Sequence, residues 1–228
     1  MQQNNISVIG LSKNYKIGDE ILPVLDNLTL EIPQGDFISV VGESGSGKST
    51  LMNIIGGLDT PDSGRVLING TSLLELNQKE LCHYRNKKIG FIFQSFNLDG
   101  NMSAIENVIM PLMYAGVPRK KRIDLAKNAL ERVGLQDRIK HLPSQLSGGQ
   151  RQRVSIARAI VNSPSILLAD EPCGNLDTKT SVIIMDMLGE LNMEGYTVIM
   201  VTHNRAQAQN GKKIIEIIDG HSNAVEKV

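Results

Sequence analysis

Residues 42–50 constrain the fold of this chain more than any other stretch. They match the pattern G-x-x-x-x-G-K-S, and they stand between an apolar run, Phe37–Val41, and a helix predicted over 51–57. Glycines in this loop allow successive backbone N–H groups to converge on one point at a helix N-terminus, where the helix dipole also favours an anion. A dinucleotide-binding G-x-G-x-x-G pattern would need glycine where Thr50 stands. The pattern in this context therefore predicts a loop that binds a nucleotide triphosphate.

Two side chains of the loop have specific chemistry, and one aromatic residue before it has two possible roles. Lys48 adds a positive charge near the β and γ phosphates, and the Ser49 hydroxyl can ligate Mg²⁺. Tyr15 lies between two predicted strands, 6–11 and 24–32. Its ring either packs against the edge of the sheet or stacks on a nucleotide base.

Apolar patterning predicts an α/β chain with a small antiparallel unit leading into the loop strand. Helices are predicted over 51–57, about 118–133, 151–160 and 178–192, and a further apolar helical face comprises Ile105, Val108, Ile109, Leu112 and Met113. The predicted strands cover 6–11, 24–32, 37–41, 65–69, 90–94, 165–169, 197–201 and 213–218.

The charge balance and the cysteine count exclude several classes of protein. The 228 residues carry 24 basic and 24 acidic side chains, so no global field attracts nucleic acid or anionic lipid. Two cysteines, Cys82 and Cys173, are too few for a disulfide framework and suit a reducing compartment. No apolar segment reaches roughly 20 residues and residues 1–10 have no signal-peptide pattern, so membrane association would require a partner.

Polar residues follow several of the predicted strands. Asp170 and Glu171 end one of them, where Asp170 can hold the Mg²⁺ shell and Glu171 can polarise an attacking water, unless both are solvated turn residues. Gln94 either caps its strand or faces a ligand at the carboxyl edge of the sheet. His203 is either structural or reaches the γ-phosphate.

A second glycine-rich segment, 146–150, also precedes a helix. Ser147 with the amides of Gly148 and Gly149 forms either an anion site or a simple helix cap, and Asp177 further along has the same capping alternative. One chain cannot easily present both helix ends to the same triphosphate. The second site therefore suggests a nucleotide shared between two copies.

These motifs together resemble the nucleotide-binding subunit of ATP-binding cassette (ABC) transporters, over essentially the whole chain. The resemblance implies the P-loop NTPase fold of ABC ATPases, an α/β fold with a RecA-like core, an N-terminal antiparallel β subdomain and an inserted helical subdomain. It implies one domain, 1–228, in which 1–94 and 165–228 form the catalytic core and about 95–164 form the helical lobe with the signature sequence.

The resemblance also implies the roles of individual residues with ATP and Mg²⁺. The implied catalytic residues are Glu171, His203 and Lys48, and the implied Mg²⁺ contacts are Ser49, Gln94 and Asp170. The implied contacts to ATP on the partner chain are Ser147, Gly148, Gly149, Gln150 and Asp177. The implied ATP-binding residues are Tyr15, Gly42, Glu43, Ser44, Gly45, Ser46, Gly47, Lys48, Ser49 and Thr50.

The segments 15–19, 93–98 and 174–177 are similar to the branch of macrolide exporters, lipoprotein-release ATPases and antimicrobial-peptide exporters of bacteria. This similarity implies a head-to-tail homodimer when ATP is bound, integral membrane permease partners, no nucleic acid, and a peripheral position at the cytoplasmic face of the cell membrane. The chain departs from the branch at Cys173, at 99–100 and at 207–213. Cys173 stands where threonine is usual, and we expect an oxidisable thiol near the site.

Two other functions use the same motor chemistry. One is a regulatory ABC ATPase that gates a cell-division or cell-wall machine, which the sequence alone separates poorly from a transporter subunit. The other is an ABC protein acting on ribosomes or DNA, which the short helical lobe and the balanced charge disfavour.

Overall fold

The computed structural model describes residues 5–225. Residues 1–4 and 226–228 lie outside this range. The two ends of the predicted 1–228 domain, and part of the 1–10 segment that has no signal-peptide pattern, therefore lie outside the described residues. The helices are α1 (Lys48–Ile55), α2 (Gln78–Lys88), α3 (Ala104–Tyr114), α4 (Arg119–Arg132), α5 (Gly148–Ile160), α6 (Thr178–Met193) and α7 (Arg205–Ala208). The strands are β1 (Asn5–Ile17), β2 (Glu20–Pro33), β3 (Phe37–Val41), β4 (Ser63–Ile68), β5 (Thr71–Ser72), β6 (Ile89–Phe93), β7 (Ile166–Asp170), β8 (Thr197–Val201), β9 (Lys213–Ile218) and β10 (His221–Val225).

The first sheet is antiparallel, with strand order β2-β1-β4-β5. It confirms the predicted N-terminal antiparallel unit. The prediction that Tyr15 lies between two strands was wrong, because β1 continues to Ile17 and pairs Tyr15 with Leu22 of β2. This end of the hairpin is exposed, so it lacks the alternation of apolar and polar residues that identifies a strand resting on a core.

The second sheet has six strands in the order β10-β9-β3-β8-β7-β6. All neighbouring strands are parallel except β10, which pairs antiparallel with β9 at one edge. Every residue of β3 and β8 is buried, as expected for central strands covered on both faces. The register aligns Phe93 with Asp170 and Asp170 with Val201, so the residues that follow these strands emerge at one edge of the sheet.

Three helices, α3, α4 and α5, occupy the stretch predicted as the helical lobe, and each contacts the other two. Their buried apolar residues belong to the same cluster as strand residues such as Ile92 and Leu167. The division into a core and a lobe, with its boundaries, stays a prediction.

The predicted apolar face of α3 is buried only in part, since Met113 is 55% exposed. The buried face contains a polar residue instead: Asn107 is fully buried, and its side chain bonds the Asp99 amide and the Met102 carbonyl. An apolar count misses such a residue because its polar atoms are paired with the backbone. Between residues 5 and 225, no helix combines the length and the apolar character needed to cross a lipid bilayer.

Candidate nucleotide and catalytic site

The loop between β3 and α1 depends on glycine for both conformation and space. Gly45 and Gly47 have φ of 84° and 98°, in the left-handed region that favours glycine. A Cβ on Gly47 would lie 2.5 Å from the Val24 carbonyl oxygen, and one on Gly42 would lie 2.4 Å from that of Ile217. The loop therefore presses its backbone against neighbouring strands, and α1 starts with its free N–H groups directed toward the loop.

Lys48 is the first residue of α1 and is 7% exposed. Its ammonium donates to the Glu43 carbonyl and lies 3.3 Å from Ser46 Oγ, so it folds back over the loop. Burial lowers the pKa of Lys48, against the opposing effect of the carboxylates of Glu171 and Asp170. A buried cation among helix-terminal amides favours an anionic ligand, so the loop fits a polyphosphate.

The Ser49 hydroxyl lies 3.2 Å from Asp170 Oδ1, which joins the start of α1 to the end of β7. Burial raises the pKa of Asp170, the Ser49 hydrogen bond opposes that rise, and the charge of Glu171 adds to it. A hydroxyl beside a carboxylate is the set of hard oxygen donors that Mg²⁺ prefers. The pair therefore fits a divalent cation, which would relieve the crowding of negative charge.

Gln94 follows β6, next to β7 in the sheet, but its contacts are with a neighbouring loop. Its carbonyl accepts the Asn175 side-chain amide at 3.1 Å. Its carboxamide lies so close to Gly174 that a Cβ there would be 2.5 Å from Nε2. The predicted Mg²⁺ contact of Gln94 stays a prediction.

Glu171 has a φ of 45°, an unusual left-handed conformation for a residue with a side chain. Its Oε1 accepts the His203 backbone N–H at 2.8 Å and lies 2.7 Å from the ring nitrogen Nδ1. Its Oε2 lies 3.2 Å from Thr202 Oγ1. The structure thus brings together Glu171 and His203, as predicted from the strand ends, and adds Thr202, for which the sequence has no motif.

Tyr15 combines a tethered hydroxyl with a partly open ring. The hydroxyl donates to Asp59 Oδ2 at 2.7 Å, and the residue is 37% exposed. Lys13 donates to Asp59 Oδ1 at 2.9 Å, and its ammonium lies 5.1 Å from the Tyr15 ring centroid. Both interpretations of Tyr15, edge packing and base stacking, agree with this geometry. Lys13 and Asp59, which orient the ring, have no signal in the linear sequence.

Against the effect of burial, the contacts with Lys13 and Tyr15 lower the pKa of the Asp59 carboxyl. Burial opposes ionisation of its carboxyl, but hydrogen bonds from Lys13, Tyr15 and the Thr60 amide hold the pKa of Asp59 below its usual range.

Ser147 and Asp177 act as helix N-caps. Ser147 Oγ accepts the Gln150 N–H at 3.2 Å while Gln150 Oε1 accepts the Ser147 N–H at 2.9 Å, a reciprocal capping box. Asp177 accepts the N–H of Thr180 at 3.0 Å and its hydroxyl at 2.7 Å. Gly149 lies against Thr180, so the starts of α5 and α6 are side by side. Among residues 5–225, no hydrogen bond or ion pair joins 147–150 to the 42–50 loop.

A cleft of about 880 Å³ opens beside the loop. It is lined by residues 42–46, by His203 and by residues 23–26 and 216–220. Its size is in the range of small-molecule sites, about 300–1,000 Å³.

Cys173 lines the same cleft as Glu171, as expected, but its surroundings disfavour the oxidation that we also expected. The residue is 3% exposed, and its Sγ contacts the Ser181 carbonyl at 3.6 Å. Burial raises the pKa of the thiol to about 11. Because the thiolate is the reactive form, this burial disfavours oxidation of Cys173, whereas Cys82 is exposed.

Comparisons with known proteins agree with the geometry. The sequence profile of the ABC transporter family matches residues 25–174. An uncharacterized ABC transporter ATP-binding protein of Bacillus subtilis, YknY, is 49% identical over 216 residues, which are 95% of this chain and 94% of that protein. The macrolide export ATP-binding/permease protein MacB of Vibrio parahaemolyticus is 48% identical over 94% of this chain, but this match spans only 33% of MacB.

Solved structures give the same result. The ATP-binding cassette MJ0796, in a dimeric post-hydrolysis state with ADP and Pi, superimposes with a TM-score of 0.90 at 43% identity. The match covers 97% of this chain and 98% of that one. It confirms the predicted fold class.

Proposed function

This chain belongs to the ABC transporter family and is an ATPase, and we propose that it dimerises head to tail around two ATP molecules to drive an integral membrane export or mechanotransmission complex. One observation carries the proposal: Ser49 of the 42–50 loop lies at the same edge of the sheet as Asp170, Glu171 and His203.

Within one chain, the loop 42–50 would hold the phosphates of ATP through its backbone N–H groups and Lys48. Tyr15 would stack on the adenine. Ser49 and Asp170, with Gln94, would hold Mg²⁺, which when bound neutralises charge on the phosphates.

Glu171 would orient the water that attacks the γ-phosphorus of ATP and would accept the proton that this water loses, while ADP leaves with the electrons of the broken P–O bond. The hydrogen bond of Oε1 to the His203 N–H fixes the carboxylate at the end of β8. His203, whose side chain is 70% exposed, and Lys48 would stabilise the charge that develops on the transferring group.

The signature segment would act across the dimer. Ser147, Gly148, Gly149 and Gln150 would contact the ATP held by the partner chain, together with Asp177. The contact between Gly149 and Thr180, at the starts of α5 and α6, supports this role, because it places Ser147 and Asp177 at neighbouring helix starts. The dimeric state of MJ0796 with ADP and Pi supports a dimer built around nucleotide.

The membrane role rests on the relatives. MacB is named a macrolide export ATP-binding/permease protein, and this chain matches the third of it that we take to be the ATPase part. We propose that permease subunits hold this chain at the cytoplasmic face of the membrane.

The test is purification of tagged Glu171→Gln protein with MgATP from solubilised membranes of the organism that encodes it. Co-purification of a membrane protein with a large outer domain supports the export role. Recovery of cell-wall hydrolase regulators supports the regulatory alternative, and recovery of ribosomes or DNA alone contradicts the membrane role.

The catalytic assignment has a separate test. Purified Glu171→Gln protein should bind ATP but lose nearly all hydrolysis. Hydrolysis near the wild-type rate would contradict the role of Glu171.

A further inference from the structure

The hydroxyl of Thr202 lies between two acceptors, one of which the catalytic site described above does not use. Thr202 is completely buried at the end of β8. Its Oγ1 lies 3.2 Å from Glu171 Oε2 and 3.3 Å from Gln207 Oε1, and it accepts the Asn204 N–H at 3.1 Å. A hydroxyl has one hydrogen to donate, so Thr202 serves one of the two acceptors at a time.

The two carboxylate oxygens of Glu171 differ in how they are held. Oε1 has two contacts to His203, the backbone N–H and the ring. For Oε2, Thr202 is the hydrogen-bond partner found among residues 5–225. Oε2 therefore has one acceptor site open beside this contact, and both of its sites become open when the Thr202 hydroxyl turns away.

The backbone of Gln207 is anchored close to Thr202. It belongs to the short helix α7, where its N–H donates to Asn204 Oδ1 at 3.3 Å. Its carbonyl accepts the Asn210 side chain at 2.9 Å. Its side chain borders a cleft of about 450 Å³ that Glu171 also lines, so there is room for water beside both.

We propose that Gln207 is a positioning residue that accepts the Thr202 hydroxyl hydrogen when Glu171 Oε2 turns to the attacking water. This inference rests on the proposed function, in which Glu171 orients that water. Thr202 exchanges one acceptor for another at nearly the same distance, so the buried hydroxyl keeps a hydrogen bond throughout. Without the Gln207 oxygen, release of Oε2 would leave the buried O–H without a side-chain acceptor among the described residues, which is costly.

The first test replaces Gln207 by methionine, which has a similar length and only a weak acceptor. We expect kcat for ATP hydrolysis to fall about three- to ten-fold, the effect of one lost hydrogen bond, while KM for ATP stays unchanged. The matched control is Gln209→Met, two residues further on at an exposed position, which should keep the wild-type kcat. A wild-type kcat in Gln207→Met would overturn the inference.

The second test is a double-mutant cycle. Thr202→Val removes the hydroxyl, so adding Gln207→Met should then have no further effect on kcat. Thr202→Ser keeps the hydroxyl and should retain more activity than Thr202→Val. An equal fold loss from Gln207→Met in the wild-type and Thr202→Val backgrounds would show that Gln207 does not act through Thr202.

Measurement of Glu171→Gln in the same assay separates this inference from the proposed function. If Glu171→Gln hydrolyses ATP normally, the role of Glu171 is wrong and the inference falls with it. If Glu171→Gln is inactive and Gln207→Met is normal, only the inference about Gln207 is wrong.

Discussion

Replacing Gly149 by alanine tests how closely α5 approaches α6. A Cβ at this position would lie 2.2 Å from Thr180 Cγ2, well inside normal contact distance. Thr180 cannot rotate freely, because its hydroxyl donates to Asp177 Oδ2 at 2.7 Å. Overpacking costs about 1–3 kcal/mol, and replacing a helical glycine by alanine regains about 0.5–1 kcal/mol. We therefore expect Gly149→Ala to lower the free energy of unfolding by about 0.5–2 kcal/mol.

Urea unfolding without nucleotide measures this change, so the proposed contact of Gly149 with ATP does not enter. Gly148→Ala is the matched control, because its Cβ would lie 3.3 Å from Leu176 Cδ2, the end of a flexible side chain. Thr180→Ser removes the clashing methyl and keeps the hydroxyl, so it should restore most of the stability lost in Gly149→Ala. Equal stability of the two alanine variants, or no recovery with Thr180→Ser, would refute the packing argument.

Three further predictions concern single side chains. Because the pKa of Asp59 is depressed, its ionised form stabilises the fold above the unfolded pKa. In urea unfolding, the wild type should therefore be more stable than Asp59→Asn at neutral pH, and this advantage should vanish as pH falls from about 5 through the depressed pKa. A difference that stays constant with pH would contradict this. Maleimide labelling of the folded protein at neutral pH, read by mass spectrometry, should modify Cys82 and spare Cys173 until urea is added, and equal labelling of both would refute the shielding of the buried thiol. Lys48→Ala should lose tight binding of a fluorescent ATP analogue, and unchanged affinity would contradict the role of the loop. Its urea unfolding midpoint should stay the same or rise, because burial already disfavours the charged ammonium.

Much of the fold could be predicted from the sequence because its central strands are short, apolar runs. The predicted spans 37–41, 197–201 and 213–218 coincide with β3, β8 and β9. Helix α2 had no such signal: it buries only Tyr84 and starts from a capping box formed by Asn77 and Glu80. An apolar stripe cannot indicate a helix that has one fully buried residue.

The candidate site was predictable where function concentrates in a local motif. Each segment is continuous in the sequence: residues 42–50 follow the buried strand β3, and residues 170–171 lie at the end of β7. The contacts of Thr202 with Gln207 and of Tyr15 with Asp59 arise from turns and tertiary packing, which no short pattern encodes. Asp177 shows a further limit of prediction from sequence, since an aspartate at this position suits both an N-cap and a nucleotide contact. In the structure it caps α6 by accepting the Thr180 N–H.

The most direct test of the head-to-tail dimer is analytical ultracentrifugation of the Glu171→Gln protein with MgATP. Saturation with ATP should be verified separately by binding of a fluorescent analogue. We predict that the sedimenting mass doubles from the 25.0 kDa of one chain, and that adding Ser147→Arg prevents the doubling because a bulky cation then blocks the signature segment. A protein that is saturated with ATP and remains at the mass of one chain would contradict the shared nucleotide site.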